Sequence, residues 1–358
     1  MLGPMSRATY LLVALAAALP SASVLLAAPP SPPSTPPSPP ELSAQSVAVP
    51  GGDGGVGFDD LGFSPELGKV LAPAGRTGNF DLIDPATDAV VAIPGFGTAP
   101  EGVQGAHGHG EGTTSAAFGR GLLFAVDHGS RRLDVVDPAR REIVASAPLE
   151  SEPDYVRWVP REGEIWVTEP GAQQIEIFRL PEGAAPTPVR AGAVAVPGGP
   201  ESLVIDTARG RAYTNRWSGT TVAVDLAKRE VSERWSNGCT GSRGLALDAE
   251  RGFLFVGCAE GKASVVDLGH DGEVLDTFSH GSGVDIIAFD PVRSRLYLPG
   301  GRSASMAVLG VSDAGQLSLV ATARTASRAH CVTVDGQGRA WVCDPVGGRL
   351  LVFSSPAP

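Results

Sequence analysis

Basic runs, helical periodicity and enzyme signatures are all missing from this 358-residue chain. Beyond the N-terminus no long apolar pattern recurs at helical spacing, which excludes a core built from amphipathic helices. Lys and Arg number 28 against 39 Asp and Glu, a formal charge of -11. Affinity for nucleic acid comes largely from cations that neutralise phosphates, so an acidic body without a basic run is a poor general nucleic-acid binder. Gly-x-Ser-x-Gly, His-Glu-x-x-His, Cys-x-x-Cys-His and a phosphate loop are all lacking, so no common hydrolase, zinc-protease, haem or nucleotide chemistry is signalled. Cysteine is scarce, at four residues, and none follows the first apolar segment to accept a lipid.

That first segment reads as an export signal over residues 1–28. Arg7 is its one charge, Tyr10 to Leu19 its apolar core, and Ala27-Ala28 its small-residue end. The competing reading is an uncleaved anchor, but Pro20, Ser21 and Ser23 interrupt the roughly 20 apolar residues that a span needs. Cleavage would remove Arg7 and leave a mature chain of charge -12 with no membrane span. Residues 29–41 form a polyproline-like linker. These features predict a periplasmic or secreted monomer, tethered at its N-terminus if the signal is retained.

What is abundant is punctuation: Gly 46 and Pro 31 divide the chain into short apolar runs. Glu201-Ser-Leu-Val-Ile-Asp206 and Ser242-Arg-Gly-Leu-Ala-Leu-Asp248 open two copies of one unit of four strands and three turns. The turn-opening Asp206, Asp248 and Asp290 lie 42 residues apart, and equivalent turns occur at Ser64, Gly119, Pro160 and Asp335. Ser64 to Asp335 is 271 residues over six intervals, about 45 each, the length of a four-stranded blade. The chain therefore predicts an all-β, seven-bladed β-propeller of antiparallel blades near 56–99, 111–151, 152–198, 199–238, 239–281, 282–326 and 327–358. The last copy has only three runs. An exposed edge is avoided in natural sheets, so an N-terminal strand at 43–50 is expected to close that blade within a propeller domain of 42–358.

Tyr213-Thr-Asn215, Leu254-Phe-Val-Gly-Cys258, Gly283-Val-Asp285 with Phe289-Asp-Pro291, and Gly199-Pro-Glu201 resemble the YVTN-repeat propellers, in particular the exported YncE-like group. The resemblance covers about Phe58 to Phe353 and implies the fold and repeat. Only the run from Tyr213 approaches the Tyr-Val-Thr-Asn pattern. Some YncE-like proteins bind single-stranded DNA, a reading that the acidic charge opposes here.

In a propeller the loops that open the innermost strands converge on one face. Asp60, Asp154, Glu201, Arg243, Asp285 and His330 occupy such openings, beside Asp59, Thr113 and Thr114. A ring of this kind suits a divalent cation held by oxygen ligands or a cationic small molecule; alternatively its carboxylates only brace loops. His107, His109 and His128, with His280 and His330, fall in connections on that face and form a second candidate set, for Zn²⁺ or Cu²⁺, against the alternative of solvated loops. Trp158, Trp166, Trp217, Trp235 and Trp341 are assigned to packing between blades rather than to ligand stacking. Cys331 and Cys343 face each other across a hairpin, and Cys239 reaches Cys258 if its loop folds back, so two disulfides are expected, with four buried thiols as the alternative. The function that follows is a binding module or interaction scaffold with its ligand site at the channel mouth, for a small molecule or protein partner. The alternatives are a lactonase-like metal-dependent hydrolase using the mouth carboxylates, and single-stranded DNA binding.

Overall fold

The structure, a computed structural model, describes residues 39–98, 111–183 and 186–356, with isolated positions near the N-terminus. The export signal, most of the linker, His107 and His109 lie outside the described residues. Pro39–Pro358 forms one compact unit. Within it seven antiparallel sheets each run from an inner to an outer strand in chain order, the seventh taking its outer strand from the N-terminus. The inner strands are Gly62–Ser64, Thr113–Gly119, Val156–Val159, Glu201–Asp206, Ser242–Asp248, Ala288–Asp290 and Val332–Val334. No helix occurs among the described residues, and none is long and apolar enough to cross a membrane.

The gradient of sequence across each blade explains the ring. Second and third strands such as Phe253–Cys258 and Leu122–Asp127 are apolar through their interiors, buried on both faces because neighbouring blades cover them. Outer strands such as Glu230–Ser236 face solvent and are largely polar. The periodic aspartates brace the first turn of four of the blades. Asp206 accepts the Arg209 N–H at 3.0 Å and pairs with its guanidinium at 3.0 Å. Asp248 and Arg251, Asp290 and Arg293, and Asp335 and Arg339 repeat the arrangement. Arg209 then donates to Ala249 O at 2.8 Å and Arg339 reaches Asp88 at 3.2 Å, so the turn that sets the period also ties one blade to the next.

Ring closure occurs where the three-run copy demands it. Ala44–Ala48 pairs antiparallel with Arg349–Phe353, from Ala44 opposite Phe353 to Ala48 opposite Arg349, and buries Val47. The sequence missed a further link: Glu41–Leu42 adds to the sixth blade as a fifth, parallel strand beside Leu317–Arg324. The N-terminal segment thus latches two outer edges. Both disulfides form, Cys239–Cys258 and Cys331–Cys343, with Cα separations of 5.4 and 5.6 Å. Trp166 and Trp341 are fully buried, Trp158 stacks on Phe124 with centroids 5.3 Å apart, and Trp235 meets Tyr213. Trp217 departs from this packing role, being 46% exposed.

Candidate functional site

The residues that open the inner strands are fixed in part by hydrogen bonds to the neighbouring blade. Asp60 N–H donates to Thr114 O at 3.0 Å, Thr114 Oγ1 to Asp154 O at 3.2 Å, Gly244 N–H to Asp285 O at 3.0 Å, and Ile286 N–H to His330 O at 3.0 Å. Asn215 Nδ2 reaches Arg243 O at 2.6 Å. Within the Tyr213-Thr-Asn215 run, Thr214 Oγ1 donates to Ser202 O at 2.7 Å, so two residues of the motif tie this second strand to its own inner strand and to that of the next blade. Register shifts between Glu201 and Val204, and between Ser242 and Leu245, place a bulge under Glu201 and another under Arg243. Bulges of this kind re-aim side chains beside sites. Gly244 is required here: a Cβ would lie 2.6 Å from Asp285 O.

This collar encloses a cavity of about 500 Å³ lined by Asp59, Asp154, Glu201 and Asp285, with Tyr155, Trp217 and Arg243 among its other walls. Asp154 and Glu201 are half-buried at its wall. Burial, followed by the charges of Glu201, Asp59 and Asp285, holds the Asp154 carboxyl well above its ordinary range. Burial and Asp285 push Glu201 up to about 7, although a hydrogen bond from Trp217 and the charge of Arg243 favour its ionised form. Tyr155 is likewise raised, by burial and then by Asp154. The crowded mouth thus disfavours the ionised forms of Asp154 and Glu201.

No family model matches the sequence, and no curated protein is similar to it. Solved structures are. The chain superposes on a chain of hydrazine synthase from Kuenenia stuttgartiensis with TM-score 0.67 at 14% identity, covering 85% of this chain and 96% of that one. It matches a chain of a mitotic checkpoint complex with TM-score 0.71 at 12% identity over 94% of this chain and 100% of that one. The Cps50 (Swd1) β-propeller domain of Myceliophteria thermophila gives TM-score 0.68 at 11% identity, covering 88% and 100%. The shared property is the propeller. At such identities the likeness carries fold and no activity.

On this propeller the expected site residues separate. Asp154, Glu201, Arg243 and Asp285 meet at the mouth cavity, joined by His128. Asp60 lines a different cavity of about 450 Å³ together with Arg157. It pairs with both guanidinium nitrogens of Arg157, at 2.5 and 3.1 Å, and accepts Ser115 Oγ at 2.5 Å. Arg157 in turn lies 5.3 Å from the Tyr155 ring centroid, so that ring connects the two cavities. His330 lines a third cleft, of about 590 Å³, which shares Arg243 and Asp285 with the mouth cavity. Its Nδ1 lies 2.6 Å from Arg328 O. His330 also approaches Cys331 and Cys343, but their sulfurs are joined to each other and cannot serve as thiolate ligands. The carboxylates of the mouth are the oxygen donors suited to a hard cation. Sequence reasoning missed Tyr155 and Trp217 as site residues. Tyr155 follows Asp154 directly, and Trp217 is the one tryptophan placed in a turn rather than a strand.

Proposed function

We propose that the protein is an exported binding module whose ligand seats in the channel mouth and carries positive charge, either an organic ammonium or guanidinium group or a divalent cation. The observation that carries this reading is the crowding of Asp154 and Glu201 with Asp59 and Asp285 around one cavity, at the expense of their own ionisation. A bound cation relieves that repulsion, and the exposed Trp217 beside Glu201 offers a π face to an organic cation. The two disulfides suit an oxidising compartment, and the apolar N-terminal segment supplies the export signal. Single-stranded DNA would bring phosphates to an acidic opening, and hydrolysis rests on likeness to other propellers, so neither is advanced.

Calorimetry with Ca²⁺, Mg²⁺ and small organic cations tests the reading. Because Glu201 and Asp154 must release protons to meet a cation, affinity is expected to rise between about pH 6 and 8, and Glu201→Gln to weaken it about tenfold or more. Neither heat nor a melting shift with any of these cations at about pH 8 would remove it.

A further inference from the structure

Two arginines beside the mouth, Arg302 and Arg328, form no ion pair among the described residues. The cleft that shares Arg243 and Asp285 with the acidic cavity is lined also by Arg302, Arg328, Ser327 and His330. Among the described residues no carboxylate forms an ion pair with Arg302 or Arg328, and both side chains are exposed. Arg243 donates one N–H to Ser242 O at 3.2 Å. Elsewhere in the ring arginines are mated with carboxylates: Arg157, on an inner strand, with Asp60, and Arg209, Arg251 and Arg339, at the first turns of their blades, with Asp206, Asp248 and Asp335.

The backbone is shaped around these side chains. Arg328 holds φ 66, a left-handed conformation that is strained for a residue with a Cβ. It is kept there by its N–H donating to Gly301 O at 2.7 Å. Gly283 stands where a Cβ would lie 2.7 Å from Arg302 Cγ, so glycine leaves room for the stem of that arginine.

We propose that this cleft is an anion subsite for a carboxylate or phosphate group, held by Arg302 and Arg328 with Arg243 at its boundary. Planar guanidinium groups suit both anions. Since the cleft and the acidic cavity share two wall residues, the whole mouth takes a bipolar ligand, its cationic end among the carboxylates and its anionic end among the arginines. The cationic half rests on the function proposed above; the anionic half does not.

The experiment is calorimetry at low salt with 6-aminohexanoate, hexanoate, hexylamine and inorganic phosphate. We expect hexanoate and phosphate to bind, and 6-aminohexanoate to bind at least about tenfold more tightly than hexanoate or hexylamine, as joining two contacts in one molecule requires. In the double variant Arg302→Ala, Arg328→Gly, where glycine keeps the left-handed backbone free of strain, hexanoate and phosphate binding is lost and 6-aminohexanoate falls to the level of hexylamine. If hexanoate and phosphate do not bind, or bind the double variant equally well, the anion subsite is overturned. If at about pH 8 hexanoate binds and hexylamine does not, the anion subsite stands and the organic-cation form of the cationic reading falls.

Discussion

Asp81 gives the sharpest quantitative test of how this ring is built. It lies in the third strand of the first blade, Thr77–Ile83, fully buried, with Ala72 and Ala92 as its cross-strand neighbours. Neither carboxylate oxygen has a hydrogen-bond partner among the described residues. The equivalent Asp134 of the second blade accepts Ser146 Oγ at 2.5 Å and Arg132 Nε at 2.6 Å, Glu176 of the third pairs with Arg190, and the fourth has Val222. Burial alone pushes Asp81 from its ordinary 3.8 up to about 7. A raised value means that the folded protein keeps a proton which the unfolded chain gives up. Stability is therefore greatest below about pH 4 for this group, falls as pH rises, and levels off above about pH 7. The gap is roughly 3 pH units at about 1.4 kcal/mol each, so retaining ionised Asp81 costs on the order of 4 kcal/mol above pH 7. Asp81→Asn removes the ionisation while keeping the shape. Urea unfolding of both proteins from about pH 4 to 8 should show the variant gaining on the parent by up to about 4 kcal/mol as pH rises. Glu169 and Glu201 are raised in the same sense, but they remain in both proteins and cancel in the difference. Parallel pH profiles, within roughly 1 kcal/mol, would refute the reasoning.

Deleting residues 41–49 removes the latch, which buries Val47 and Val49 and pairs with two blades, and should cost about 3 kcal/mol or more from apolar burial alone. Deleting 29–38 is the control, chosen to leave intact the bond from Thr322 N–H to Pro40 O; equal urea midpoints for the two deletions would sink the latch. The denatured, unreduced protein should show no free thiols. Replacing Cys239 and Cys258, whose bridge spans 19 residues, with serine should cost about 3 kcal/mol by the same assay; an unchanged midpoint would contradict it.

The repeat was legible because its marker has a local physical cause. An aspartate opening a turn accepts the turn's own N–H groups, so its spacing survives in the sequence even where the strands between diverge. The arginine that each aspartate holds was not recognised, because its second contact lies on another blade, as when Arg251 reaches Ser312 O at 3.2 Å. The missing seventh-blade strand could be inferred by counting. Glu41–Leu42 could not, since two residues in a parallel pairing leave no periodicity to read. Strand limits also shifted at the mouth. Asp154, Asp285 and His330 were expected to open ladders, yet the inner strands begin at Val156, Ala288 and Val332; Asp285 O and His330 O accept N–H groups from the adjacent blade instead, while Asp154 N–H donates to Thr168 O of its own blade.

Residue type placed the candidate site but could not sort it. Asp60 and Asp154 are both acidic openings of inner strands, and the sequence treats them alike. Asp60 is committed to a guanidinium 97 positions away, whereas Asp154 shares its surroundings with other carboxyls. The same distinction applies to the cations. Arg157 answers Asp60, while Arg302 and Arg328, which sit in a turn and in a connecting loop rather than at strand openings, line a cleft without an ion-pair partner among the described residues. Charges that balance within the ring explain its assembly. Charges crowded at its mouth, carboxyls on one side and arginines on the other, are the ones whose balance a ligand can complete, and they become visible only when residues from six blades are brought to one opening.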